Sequence, residues 1–166
     1  MTYDELLISA EEEGLIVKEK PIEGTDGRIF GNRVAIRKNI PTTKKACVLA
    51  EELGHHHTSA GNIINLEDTR NAKQEHVARV WSYNKMIGLS GIIQAYKRHC
   101  FNSCEMAEYL DVTEEFLQET LEYYRQKYAP CIKMDGYYII FEPSLAVVET
   151  SFLYNFKIRN MREGIL

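Results

Sequence analysis

A chain of 166 residues, 45% hydrophobic and 27% charged, has the composition of one ordinary globular domain, which excludes a disordered or fibrous protein. At this length roughly 70% of the unfolded chain's surface can be buried, so a core needs neither disulfides nor an obligatory partner. The formal charge of −4, from 20 Lys plus Arg against 24 Asp plus Glu, offers no general attraction to phosphate backbones or anionic lipid. No apolar run approaches the ~18 residues of a membrane span. The opening Met1-Thr2-Tyr3-Asp4-Glu5 lacks the basic-then-apolar pattern of a secretion signal, so the expected location is the cytoplasm. Cys47, Cys100, Cys104 and Cys131 form no CxxC pair and read as buried thiols.

In chain order, residues 3–13 set Leu6, Leu7 and Ala10 on one side among acids, predicting a short amphipathic helix that Gly14 ends. Leu15-Ile16-Val17 reads as a strand stopped before Pro21, and residues 28–37 read as a hairpin turning at Gly31-Asn32. These strands predict a small antiparallel sheet. Pro41-Thr42-Thr43 supplies helix-start chemistry for a core helix running to His55-His56-His57. Residues 58–68 read as a loop, and a second long helix is expected from about Thr69 to Ile87. Gly88-Leu89-Ser90-Gly91 breaks that run before a third helix reaching about His99. Helical patterns over Cys104–Leu110 and Thr113–Tyr128, parted by Asp111-Val112, outline a helix-turn-helix. Beyond Pro130, Tyr137–Phe141 reads as a strand, Ala146–Val148 as a second, and residues 151–166 as a tail. The fold class expected is α+β, with one domain over 1–150: sheet and paired helices in 1–100, an acidic helical module and strand in 101–150.

The densest chemistry is Glu51-Glu52-Leu53-Gly54-His55-His56-His57. Glu51 and His55 stand at i and i+4, one turn apart on one helix face, a separation that lets two side chains share a metal ion. Glu52 is rotated about 100° from Glu51. It can reach an activated water as general base without being a ligand, as the Glu of an H-E-x-x-H helix does. A third ligand is sought on the next helix, where Glu75 and His76 lie side by side; Glu75 is the first choice. Glu52, His56 and His76 form an alternative trio with the same i,i+4 logic. Arg79, four residues after Glu75, reads equally as its supporting ion pair or as a contact to substrate. The same Glu-Glu and His-His-His run also suits a solvated helix end whose histidines favour the dipole. Trp81 and Tyr83 read as core and rim.

Cys47-Val48-Leu49-Ala50-Glu51-Glu52-Leu53-Gly54-His55-His56 resembles the LAHELGHH segment of the ImmA/IrrE metallopeptidases. Gln74-Glu75 leading to Ala78–Lys85 is similar to the second-helix motif of the branch carried by phages and mobile elements of Gram-positive bacteria. The runs Ala107–Phe116 and Tyr138–Pro143 are similar to that family's C-terminal half. The resemblance covers roughly residues 3–150. It implies a cytoplasmic zinc-dependent endopeptidase of zincin-like build that cuts a helix-turn-helix repressor and so derepresses a prophage or mobile element. It also implies that Glu51 stands where the family has its first metal-binding His, that His55 keeps the second, that Glu52 keeps the general base, and that Glu75 takes the acidic third position. Two carboxylates and one imidazole make a harder, more negative site, which suits Zn²⁺ less exclusively and admits Mn²⁺. They also weaken the bound ion as a Lewis acid.

The helix-turn-helix outline carries the wrong charge for DNA. Between Arg98 and Arg125 there is no Lys or Arg, while Glu105, Glu108, Asp111, Glu114, Glu115, Glu119 and Glu122 are acidic. Phosphates repel such a surface and no arginine is present to read guanine, so direct nucleic-acid binding is not expected. The module reads as a docking surface whose acidic face meets the basic DNA-binding face of a repressor. The rival function is accordingly a non-catalytic antirepressor that binds through this face.

Overall fold

Thr2 opens helix α1 (Tyr3–Glu12) with a reciprocal capping box: Glu5 N–H donates to Thr2 Oγ1 at 3.3 Å, and Thr2 N–H donates to Glu5 Oε2 at 2.8 Å. Gly14 takes φ +76° just past the helix end, a conformation suited to a residue without Cβ. In this computed structural model, residues 1–58 and 68–151 are described; of the loop expected over 58–68 and the tail expected over 151–166, residues 59–67 and 152–166 lie outside them, while Thr58 and Asp68 are helical. The buried face of α1 is Tyr3, Leu6 and Ala10, which pack toward α2 (Thr42–Thr58).

Strands β1 (Ile16–Lys20), β2 (Gly27–Phe30) and β3 (Arg33–Arg37) form one sheet in the order β1-β3-β2. The hairpin β2–β3 is antiparallel, but β1 pairs with β3 in parallel, so the expected antiparallel sheet is in fact mixed. Chain geometry explains the correction. Residues 21–26 only cross the end of β3, stitched by Lys38 N–H to Lys20 C=O at 3.0 Å and Arg37 N–H to Asp26 C=O at 2.8 Å. A crossing that short delivers the chain into β2 at the end where β1 finished, which sets β1 and β3 in one direction. The most apolar strand takes the centre, and its Val34 and Ile36 are buried.

Helices α2 and α3 (Asp68–Met86) form the most extensive helix pair. Gly54 permits it: a Cβ there would run into the backbone carbonyl of Ala78 on α3. The break expected over Gly88–Gly91 is narrower than its glycines suggest. Gly88, at φ +60°, makes the corner, and Leu89, Ser90 and Gly91 already belong to α4 (Gly88–Lys97), with Gly91 lying under Leu110. Helices α5 (Ser103–Leu110) and α6 (Glu114–Tyr128) are capped by Asn102 and Thr113, with Asp111 in the left-handed conformation between them. Ala107, Leu110, Val112 and Leu117 are buried at this corner.

Strands β4 (Cys131–Met134), β5 (Tyr137–Ile140) and β6 (Ala146–Glu149) make a second sheet, fully antiparallel. The sequence reading has no counterpart of β4. Asp135-Gly136, at φ 48° and 80°, is a hairpin turn that signals it. The α+β class holds. Two of the four cysteines depart from the reading of buried thiols: Cys47 is buried and Cys100 half-buried, whereas Cys104, in the first turn of α5, and Cys131, at the start of an edge strand, are exposed. Among the described residues no helix is long and apolar enough to cross a membrane.

Candidate active site

The C-terminal half of α2 carries Glu51, Glu52 and His55 because Leu49, Ala50, Leu53 and Gly54 occupy its buried side. Those apolar positions fix the helix's rotation, leaving both carboxylates and His55 half-buried at the boundary with α3, β2 and α6. On α3, buried Ala78, Ser82 and Met86 orient the helix so that Glu75 faces α2.

His55 and Glu75 meet there, with Nε2 and Oε2 3.3 Å apart. Arg79 Nε donates to the other oxygen of Glu75 at 3.2 Å, and Arg79 Nη1 lies 3.9 Å from Glu119 Oε2 on α6. Tyr83 Oη donates to that same Glu119 oxygen at 3.0 Å. A continuous line, His55–Glu75–Arg79–Glu119–Tyr83, therefore ties three helices together. Glu51 lines the adjoining hollow of about 130 Å³ with Lys44, Cys47, Arg79, Thr113 and Glu119. Glu52 sits under β2, where Gly27 leaves room: a Cβ on Gly27 would come within 2.5 Å of Val48 Cγ1 and 2.7 Å of Glu52 Oε1.

The electrostatics follow from burial among like charges. Burial raises the Glu51 carboxyl above its ordinary value; Glu119 and Glu75 push the same way, and Arg79 and Lys44 oppose them. Glu52 is pushed up to about 7 by burial first and by Glu51 second, against the backbone N–H of Ile29 and the charge of Arg28. A carboxyl poised there can take and return a proton near neutral pH.

Two ligands at about 2.0–2.1 Å on a tetrahedral ion stand about 3.3–3.4 Å apart. The His55–Glu75 pair has that spacing. A third donor does not close on it: among the described residues, no three His, Cys, Asp or Glu side chains cluster tightly enough to hold an ion. Glu51, one turn before His55, is the nearest source of one by helix register, and a side-chain rotation would be needed to bring it in. His76 is exposed, its ring edge-on to Tyr123 at 6.0 Å between centroids. His56 lies against His57 at 5.6 Å, and His57 stacks on Trp81 at 4.5 Å and approaches Glu13 at 3.0 Å.

The sequence reading passes over Gly27, Glu119 and the polar role of Tyr83. Gly27 had a signal, since a glycine opening a strand marks close approach of something else. Glu119 had none, being one acid among many on a helix far along the chain.

A family model for the IrrE N-terminal-like domain matches residues 10–122. The match spans the mixed sheet, α2, α3 and most of α6, so it contains every residue of the line described above. Among curated protein sequences none matches significantly. With more than half of the chain matched, and with the acid-and-histidine face of α2 set against Glu75, the chain belongs to the IrrE N-terminal-like family of peptidases.

Proposed function

We propose that this protein is a metal-dependent endopeptidase of the cytoplasm that cleaves a helix-turn-helix repressor and so derepresses a prophage or mobile element. The observation that carries the reading is the His55–Glu75 pair at ligand spacing beside Glu52, a carboxyl raised to about 7. His55, Glu75 and a rotated Glu51 would hold the ion, Zn²⁺ or Mn²⁺. When bound, it supplies Lewis acidity toward the scissile carbonyl and acidifies the attacking water. Glu52 accepts that water's proton on its carboxylate and returns it to the leaving amine. Arg79 holds one oxygen of Glu75 and thereby aims the other at His55. Burial under β2 keeps Glu52 near the proton affinity its task requires.

A second reading, a non-catalytic antirepressor that binds through the acidic face of α5 and α6, is favoured by one observation: Glu51 lies among Lys44, Arg79 and Glu119 instead of closing on His55. Elemental mass spectrometry of protein purified without chelators separates the two. Near one equivalent of zinc or manganese, lost in Glu51→Ala, His55→Ala and Glu75→Ala, is the expected result. Glu52→Gln is expected to keep the metal while cleavage of the repressor falls by about two to four orders of magnitude. Protein that stays metal-free after loading with both ions, and that titrates repressor one for one, would move the function to binding alone.

A further inference from the structure

The outer face of the mixed sheet is the basic pole of an acidic protein. Alternation along the strands turns Val17, Glu19, Val34, Ile36, Gly27 and Ile29 toward α2, and Glu19 there pairs with Lys45 of that helix at 2.8 Å. The residues between them point outward, and the strand register arranges them in rows. Ile16, Arg33 and Phe30 form the first row; Lys18, Ala35 and Arg28 form the second; Lys20 and Arg37 form the third. No acidic residue of the strands shares this face.

Two features make it more than a solvated surface. Arg37 is neutralised by Asp26 at 3.2 Å, but among the described residues Lys18, Lys20, Arg28 and Arg33 have no carboxylate within ion-pair distance. The small side chain of Ala35 between Lys18 and Arg28 also leaves a cleft of about 300 Å³, walled by those cations and by two exposed apolar residues. These are Phe30, 86% exposed, and Ile16, 45% exposed, flanking Arg33. A cation on either side of an alanine floor receives one carboxylate, and the row beside it receives an apolar side chain.

We propose that this face binds a short acidic segment of a partner protein, with a Glu or Asp side chain seated over Ala35 between Lys18 and Arg28 and an apolar neighbour against Phe30 and Ile16. The surroundings favour a peptide over a phosphate chain. Glu11 lies beside Ile16 on one flank, and Glu23 and Asp26 lie past Lys20 and Arg37 at the far end, so a continuous polyanion leaving the cleft meets carboxylates. One exposed aromatic ring also gives successive bases too few platforms to stack on. Such binding needs no hydrolysis, so an assay of binding alone tests it apart from the proposed cleavage.

The test uses the full chain and a fluorescent eight-residue peptide of alternating glutamate and leucine. Its controls are the same peptide with lysine for glutamate and an oligothymidylate of equal length. Anisotropy is expected to show binding of the acidic peptide only, weakened by added salt. The loss should be about tenfold or more in K18E/R28E, and measurable in Phe30→Ala, which removes contact without charge. All three positions are exposed, and far-UV circular dichroism checks that the variants fold. Amide shifts confined to β1–β3 in isotope-labelled protein would mark the site even if one variant misfolds. Undetectable peptide binding, equal binding by K18E/R28E, or shifts elsewhere overturns the proposal. Tighter binding of the oligothymidylate, lost in K18E/R28E, would give the face to nucleic acid. A dimer in sedimentation lost in that variant would give it to a second copy of the chain.

Discussion

Glu52 shows what burial does to a single carboxyl. Its ordinary value is 4.5 and here it is raised to about 7, so between those values the folded protein holds a proton that the unfolded chain releases. Stability contributed at this site is therefore greatest below about 4.5 and falls as pH rises through about 7. Glu52→Gln keeps the neutral form at every pH. In metal-free protein the substitution is expected to raise unfolding free energy by on the order of 1–3 kcal/mol at about pH 8 and to leave it nearly unchanged at about pH 4. Urea midpoints at the two pH values check this, and an equal shift at both would show that desolvation does not set Glu52's proton affinity. The sequence singles the residue out as a candidate general base from its place beside Glu51 and before His55. The upward shift was not legible there, because it arises from Gly27 and Ile29 of a strand lying over it.

Among the elements, the α2–α3 pair decides whether a site exists at all. Gly54 lets the two backbones approach, and that approach brings His55 to Glu75. Gly→Ala in a helix interior ordinarily gains about 1 kcal/mol from propensity. Here the added methyl meets a carbonyl of the facing backbone, which cannot rotate away as a side chain would. Gly54→Ala is expected to lose stability by about 1–3 kcal/mol net and to weaken metal retention, since the two helices must part. Denaturant midpoints together with elemental analysis check both parts, and a stabilised variant with full metal content would contradict the account. Helix positions were legible from the hydrophobic period and from signals at Gly14, Pro41-Thr42-Thr43 and Gly88, whereas the caps by Thr2 with Glu5, Asn102 and Thr113 emerge from the structure. The parallel pairing of β1 was not legible, because it depends on how residues 21–26 cross the end of β3. Strand β4 was missed although Asp135-Gly136 announced it; four residues with a single β-branched side chain carry little strand signal of their own.

At the scale of the molecule, the described residues gather like charges in two places. The outer sheet face is basic, while α5 and α6 present Glu105, Glu108, Glu114 and Glu115 to solvent. If the acidic pole steers a basic repressor, the capture rate measured by stopped flow should fall steeply as salt rises past about 0.1 M, where the screening length is about 10 Å. A rate indifferent to salt would remove α5 and α6 from recognition.

The sequence alone determined the α+β class, most helices and the i,i+4 placement of Glu51 and His55, because hydrophobic period, caps and helical register act between residues close along the chain. The tertiary structure decided which groups meet. It set His55 against Glu75, turned Glu51 toward Lys44, Arg79 and Glu119, and brought Tyr83 into the same line. It also gathered the cations of three strands onto one face. Those outcomes depend on how helices and strands from distant segments pack together, where a close approach at Gly54 or Gly27 redirects side chains that no local pattern could place.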